Sequence, residues 1–344
     1  MLLTNVAFCA LGLVLLAKAS DHFVVGAARL AVIARVSTVV VGAVVVGFGT
    51  SAPEMLVSGL AARRGDLDLG VGNIIGSNVA NLTLVLGVGA LVVPLVITSG
   101  TLRRETPLAL GAMVLFAVFL QDGIARWEGV TMLVVVIGAL TWLVSVSRKA
   151  ADDPLSGEVT EMISEHAELS AWVEVARTVA GLVLTLAGAQ LLVEGALGIA
   201  EDLGLSDGFV GFTLVAVGTS LPELVTVLAA ARSGETDLII GNLLGSNLFN
   251  SLAVGAVIGL SGPGPLESGS LASIGVATML VSASVAVFFM YTEGRVVRWE
   301  GLVLLVLWAV TIPLVLDDED DPPEPAAAAV PAPAEAIAGR PPGD

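Results

Sequence analysis

The sequence has one cysteine, two histidines and one tyrosine. A lone Cys9 excludes a disulfide framework within the chain and any thiolate metal cluster. His22 and His166 are too few for a zinc or copper site built from imidazoles. Charge is scarce too: 14% of the 344 residues are charged, where a soluble domain carries about a quarter. Only two of the basic residues are lysines, beside thirteen arginines. The net charge is −17, part of it in the run Asp317-Asp318-Glu319-Asp320-Asp321, and that sign argues against nucleic acid as a partner. An acidic, lysine-poor surface fits a halophilic prokaryote; a GC-rich genome with an acidic tail gives the same composition.

What fills the chain is apolar residues, 56% of the total, and 39 glycines. Between Arg35 and Arg63 the only charge is Glu54, and between Asp207 and Arg232 the only charge is Glu223. The stretches from Asp68 to Arg103 and from Asp237 to Glu267 have no internal charge. Roughly 20 apolar residues cross a bilayer as a helix, so these stretches read as membrane spans, and the glycines suit close helix packing. The apolar start of the chain resembles a signal peptide, with Ala17-Lys18-Ala19 as a cleavage site. It lacks a basic leader and has a counterpart deep in the chain, so it reads as the first span. Helices are predicted at 3–34, 38–63, 68–93, 106–120 and 127–147, then at 172–202, 207–232, 237–260, 270–291 and 299–316. Residues 148–170 form a polar linker. From 317 to 344 the chain is too acidic and Pro-rich to pack and is predicted to be disordered.

The sequence repeats itself. A shift of 169 residues lays Gly49-Thr50-Ser51-Ala52-Pro53-Glu54 on Gly218-Thr219-Ser220-Leu221-Pro222-Glu223, and Gly72-Asn73-Ile74-Ile75-Gly76-Ser77-Asn78 on Gly241-Asn242-Leu243-Leu244-Gly245-Ser246-Asn247. Asn81 falls on Asn250. With three further residues of offset, Arg126-Trp127-Glu128-Gly129 matches Arg298-Trp299-Glu300-Gly301. Five spans per unit is odd, so the second copy crosses in the opposite sense. The expected fold is an all-α polytopic membrane protein, with ten transmembrane helices as two inverted five-helix repeats at 1–147 and 171–316. Arg35, Arg103, Arg104, Arg148, Lys149, Arg232, Arg295 and Arg298 mark one face as cytoplasmic. That puts both termini outside a cell membrane. Trp127 and Trp299 read as interfacial anchors.

An ionised carboxylate at the bilayer centre costs about 3 kcal/mol or more on insertion scales, and here two stand in spans without a basic partner. Lys18 is the nearest candidate, but Asp21 follows it at helical spacing. A bound cation supplies the missing charge. Thr50 with Glu54, and Thr219 with Glu223, are i,i+4 neighbours. Asn73, Ser77 and Asn81 form a polar stripe, repeated as Asn242, Ser246 and Asn250. Every side-chain donor is oxygen, which suits hard ions such as Ca2+ or Na+. Pro53 and Pro222 lack N–H groups and release carbonyls near Gly49 and Gly218. The polar residues at the junction, Arg63, Arg64, Asp66 and Asp68, read as a solvated loop. Asp21, Gln190 and Glu194 read as structural polar contacts. No nucleophile–base set is visible, so neither an enzyme nor a cofactor is expected.

These motifs resemble the cation/Ca2+ exchanger superfamily, in particular its prokaryotic Na+/Ca2+ exchangers, whose alpha-repeats look like Gly49 to Asn81 and Gly218 to Asn250. The resemblance implies a Ca2+ site of Glu54, Glu223, Thr50 and Thr219. It implies Na+ sites that add Ser51, Ser77, Ser220 and Ser246 with carbonyls near Gly47 and Ala216, and a central position completed by Asn81 and Asn250. It further implies antiport by alternating access, with the first and sixth spans sliding over the core. Some similar proteins carry Asp at the place of Asn250. Asn there removes a titratable group and counts against potassium dependence and proton participation; a proton- or potassium-coupled Ca2+ antiporter of the same fold is the alternative.

Overall fold

The computed structural model describes residues 1–33, 51–97, 99–147, 171–233, 236–292 and 294–317. Helix α1 (Leu2–Ile33) is followed by α2 (Ala52–Arg64), α3 (Leu67–Val92), a two-residue strand β1 (Leu95–Val96), α4 (Ser99–Phe119) and α5 (Arg126–Ser147). The second half has α6 (Ala171–Leu203), α7 (Asp207–Thr219), α8 (Leu221–Ser233), and α9, which runs from Thr236 to Ser261. Helix α10 (Leu271–Thr292), strand β2 (Arg295–Val296) and α11 (Arg298–Asp317) complete it. Among the described residues eight helices are long and apolar enough to cross a membrane, and α7 with α8 forms a ninth candidate bent by 41°. The first half of the predicted span 38–63, the linker 148–170 and the tail after Asp317 lie outside the described residues.

Helices α1 and α6 lie antiparallel along their full length, tied at both ends. Asn5 Nδ2 donates to Asp202 Oδ2 (2.8 Å) at one end, and Arg29 reaches the fully buried Glu174 (3.4 Å) at the other, with Arg177 at 3.6 Å. Between the ties the backbones touch: a Cβ on Gly12 would lie 2.8 Å from Gly188 O, and one on Gly188 would lie 2.9 Å from Leu16 N. Lipid offers no hydrophobic drive for two apolar helices to associate, so small residues that permit close contact supply the attraction.

Helices α3 and α9 are buried along most of their length at the centre, while α1, α5 and α11 expose apolar side chains. The sequence predicted the fourth span at 106–120; the helix starts seven residues earlier, at Ser99. Its first turns carry Arg103, Arg104 and Glu105, charges that mask a span end.

The halves are stapled at two loops. Strand β1 pairs antiparallel with β2, Leu95 opposite Val296. Ile124 and Gly264 exchange backbone hydrogen bonds of 2.9 and 3.1 Å. Under the repeat offsets of 169 and 172, Leu95 maps to Gly264 and Ile124 to Val296, so the two pairings are mates. The repeated Arg-Trp-Glu-Gly motif is structural in both copies. Glu128 and Glu300 accept the backbone N–H groups of Ala125 (2.7 Å) and Val297 (2.8 Å), closing the helix starts as capping-box glutamates do. Trp127 and Trp299 are 61% and 62% exposed, as interface anchors should be.

The junction after α2 is more than a solvated loop. Gly65 adopts φ 95°, a left-handed cap suited to glycine. Arg64 pairs with Glu194 of α6 (3.1 Å), whose Oε1 also accepts from Gln190 (2.6 Å). Burial raises the carboxyl pKa of Asp66 above its ordinary value against the opposing pull of Arg64, and Glu267 adds to the rise. The Asp68 carboxylate accepts the backbone N–H groups of Glu267 (3.1 Å) and Ser268 (2.7 Å). Asp68→Ala removes both bonds and is expected to destabilise the protein by about 1–3 kcal/mol, read as a lower melting temperature in detergent.

Candidate functional site

The second hexapeptide is a helix break with a glutamate just beyond it, and in the first a glutamate stands in the opening turn of the helix that follows Ser51. Ser220 (φ −84°, ψ 4°) separates α7 from α8, and Ser51 (φ −91°, ψ 5°) precedes α2. Proline follows two residues later in both, so Gly218 O has no N–H to receive at position 222. The continuous span predicted over 207–232 is therefore broken, and Thr219 and Glu223 flank the break rather than sharing one regular helix. Glu54 and Glu223 stand in the first turns of α2 and α8, where the helix dipole favours an anion. Thr50 and the carbonyl near Gly47 lie outside the described residues.

The facing helices bring polar groups to these breaks. Helix α3 crosses α7 at van der Waals distance: a Cβ on Gly72 would lie 2.9 Å from Phe212 N, and one on Gly76 would fall on Phe212 O. That approach lets the Thr219 hydroxyl donate to Asn73 Oδ1 at 3.1 Å. Ser77 Oγ donates to the same oxygen at 3.5 Å, and Asn73 Nδ2 donates to Ser58 Oγ of α2 at 2.9 Å. Ser77 thus directs its proton at Asn73, the Thr219 proton has Asn73 Oδ1 or, at 3.3 Å, Ala216 O as acceptor, and both hydroxyls keep oxygen lone pairs for a ligand. Asn73 is a hub between three helices, and Ser58 belongs to it. The polar stripe marks Asn73 in the sequence, but not its place as a hub, and nothing marks Ser58, because a hub is defined by what faces it. Helices α3 and α9 each contain a π-helical turn, Asn81–Val85 and Asn250–Val254, beginning at the motif asparagine. Such turns insert an extra residue, re-aim side chains and cluster at functional sites.

The result is a buried, oxygen-lined region. Glu54 and Glu223 are both 0% exposed, and they are close enough to act on each other electrostatically. Thr219 approaches Glu54, and Ser246 approaches Glu223. No described hydrogen-bond partner is present at any of the four carboxylate oxygens, at Ser51 Oγ or Ser220 Oγ, at Asn81 Oδ1, or at either amide atom of Asn250. Among the described residues the ion pairs join Arg29 and Arg177 to Glu174 and Arg64 to Glu194, so none reaches the two glutamates. Lys18 is exposed, and the side chain of Asp21 lies outside the description. No three of His, Cys, Asp and Glu gather anywhere among the described residues. The site offers two negative charges and otherwise neutral oxygen, a donor set for hard cations.

The sequence profile of the family described as "Sodium/calcium exchanger protein" matches residues 4–145 and 174–316. The chain belongs to this family. Its two matched stretches leave the linker between them uncovered. The exchanger is 32% identical over 343 residues to sodium/calcium exchanger MaX1 of Methanosarcina acetivorans, covering 90% of this chain and 97% of that protein. It is 35% identical over 315 residues to an uncharacterized membrane protein of Methanocaldococcus jannaschii, covering 91% and 98%. Solved structures of the sodium-calcium exchanger NCX_Mj superpose on it. For one soaked with Na+ and Sr2+ the TM-score is 0.62 at 33% identity, over 91% of this chain and 99% of that one. Family membership makes the protein a multi-pass membrane antiporter of cations against Ca2+, and its relatives are exchangers rather than enzymes.

Proposed function

We propose that this exchanger carries Na+ in one direction and Ca2+ in the other by alternating access, with both ions competing for the region between the two motifs. The observation that carries the reading is the set of four buried carboxylate oxygens without a hydrogen-bond donor among the described residues. Two carboxylates neutralise one Ca2+. Its ligands are Glu54, Glu223, Thr50 and Thr219. Na+ uses the same groups with Ser51, Ser77, Ser220 and Ser246 and the carbonyls near Gly47 and Ala216. Asn81 and Asn250 complete the centre. Several Na+ replacing one Ca2+ changes the charge carried, so transport is electrogenic.

The same reading takes the fold as ten spans in two inverted repeats, with both termini outside. Three features support it. Eight long helices and the bent pair account for nine spans, and the span predicted at 38–63 lies partly outside the described residues. Each loop pairing joins two loops that a ten-span count puts at one membrane face. The two pairings also exchange under the repeat offset. The test is Ca2+ uptake into Na+-loaded proteoliposomes. Uptake is expected to need the outward Na+ gradient and to respond to an imposed membrane potential. Uptake driven equally by a proton or potassium gradient, with Na+ absent, would sink the sodium reading.

A further inference from the structure

Asparagine is a poor default ligand for a cation. Its two amide ends have nearly the same shape, and a half-turn replaces a carbonyl oxygen with an NH2 group whose positive hydrogens face the ion. Asn81 and Asn250 both need that ambiguity resolved, and the structure resolves it for only one. Asn81 Nδ2 donates to Asn247 Oδ1 at 3.2 Å, with both residues fully buried. That bond turns the Asn81 nitrogen toward α9 and leaves its Oδ1 without a donor among the described residues.

The repeat predicts the mirror-image bond, from Asn250 to Asn78, because the 169-residue shift takes Asn81 to Asn250 and Asn78 to Asn247. That bond is not made. Asn78 Nδ2 donates to Ser251 Oγ at 3.0 Å and lies 3.5 Å from Met279 Sδ of α10. Both amide atoms of Asn250 lack a partner among the described residues. The divergence traces to one repeat position. Ser251 stands where the first copy has Leu82. The serine accepts from Asn78 Nδ2 and holds that side chain on α9, its Oδ1 left without a described partner, whereas the leucine offers Asn247 no such acceptor and Asn247 Nδ2 has no described partner.

We propose that Asn247 is a positioning residue that fixes Asn81 with its oxygen toward the transported cation, while Asn250 is left to rotate with the occupant. The proposal rests on the exchanger reading of the site and assigns its two asparagines unequal duties. Asn247 touches no ion; it acts through Asn81. Asn78, its repeat mate, ties α3 to α9 and α10.

The test uses the full-length protein, both in proteoliposomes and in detergent, where Ca2+ binding is measured by titration calorimetry. Asn247→Leu is expected to raise the half-saturating Ca2+ concentration roughly tenfold to a hundredfold, as loss of an orienting partner does at metal sites, with the rate at saturating Ca2+ retained. Asn78→Leu should leave half-saturation unchanged and lower only the melting temperature. In an Asn81→Asp background the two oxygens are equivalent, so Asn247→Leu should add no further loss. An unchanged half-saturation in Asn247→Leu overturns the proposal, as does a loss that persists undiminished in the Asn81→Asp background. If Asn247→Leu does not fold, Asn247→Asp decides, because a carboxylate still accepts from Asn81. It should bind Ca2+ no more weakly than wild type, and weaker binding overturns the proposal. Failure of the sodium reading shows separately, as uptake indifferent to Na+ in wild type, and leaves the calorimetric comparison intact.

Discussion

Glu54→Gln and Glu223→Gln are each expected to abolish Na+-driven Ca2+ uptake and, in ion-free detergent, to melt at a higher temperature than wild type. The two outcomes have one cause. Glutamine keeps the shape and removes one of the two charges that hold the cation. A unit charge about 4 Å from another contributes on the order of 4 kcal/mol at an effective dielectric of 20, or roughly a thousandfold in affinity for each charge on the ion. Without the ion, the same two acids are out of water with no described hydrogen-bond partner at their oxygens, and losing one removes the cost of keeping it charged there or of protonating it. Wild type should gain stability on adding Ca2+, by about 2.7 kcal/mol at a hundred times its dissociation constant, and either variant should lose that gain. Thermal unfolding with and without Ca2+ reads both effects. A variant that still melts higher when Ca2+ is added would remove that glutamate from the site.

The next largest effect is expected at a residue with no polar atom to offer. Gly76→Ala puts a methyl group onto Phe212 O, with Ala216 Cβ 2.7 Å away. The obstacle is backbone on one side and a short side chain on the other, so no rotamer change makes room. Overpacking of this kind costs about 1–3 kcal/mol, and Gly76→Val should prevent recovery of folded protein. The loss should extend to ion affinity, because prising α3 from α7 draws Thr219 away from Asn73. Gly138→Ala is the control: Gly138 is exposed on α5, and no described atom lies within 4 Å of its Cβ position. Equal melting temperatures for Gly76→Ala and wild type would contradict the close crossing.

Much of this architecture is legible in the sequence, and the parts that are not share a cause. Spans such as α5 and α9 begin and end within a few residues of where hydropathy ends them, because lipid accepts only apolar surface. The start of α4 was missed because Arg103, Arg104 and Glu105 are helical yet charged, and hydropathy cannot separate a helix end from a span end. Pro222 announced a disturbance, but whether it bends a helix or breaks it depends on what α3 packs against. Glu54 and Glu223 could be picked out because burying charge in a membrane without a partner is costly at any geometry. Glu174 was passed over, since its partner Arg29 lies 145 residues away. Ser58, likewise, carries no signal in its own segment, and the polar stripe that marks Asn73 does not say what it binds. Their work is set by facing helices, and the repeat itself misleads there, since position 227, the mate of Ser58, is Val.

The two mated loop pairings bear on how the chain is made. A translocon releases helices in order from the N-terminus, so α1 to α5 enter the bilayer before their fasteners to the second half exist. Leu95, Ile124 and Asp68 each wait for a strand or loop synthesised more than 130 residues later, as Glu54 waits for Glu223 and Arg29 for Glu174. The nascent first half therefore holds half of each clasp and half of the site. Maturation becomes one late closing event, and a chain cut in the linker should recover its fold only when both fragments are made in the same membrane.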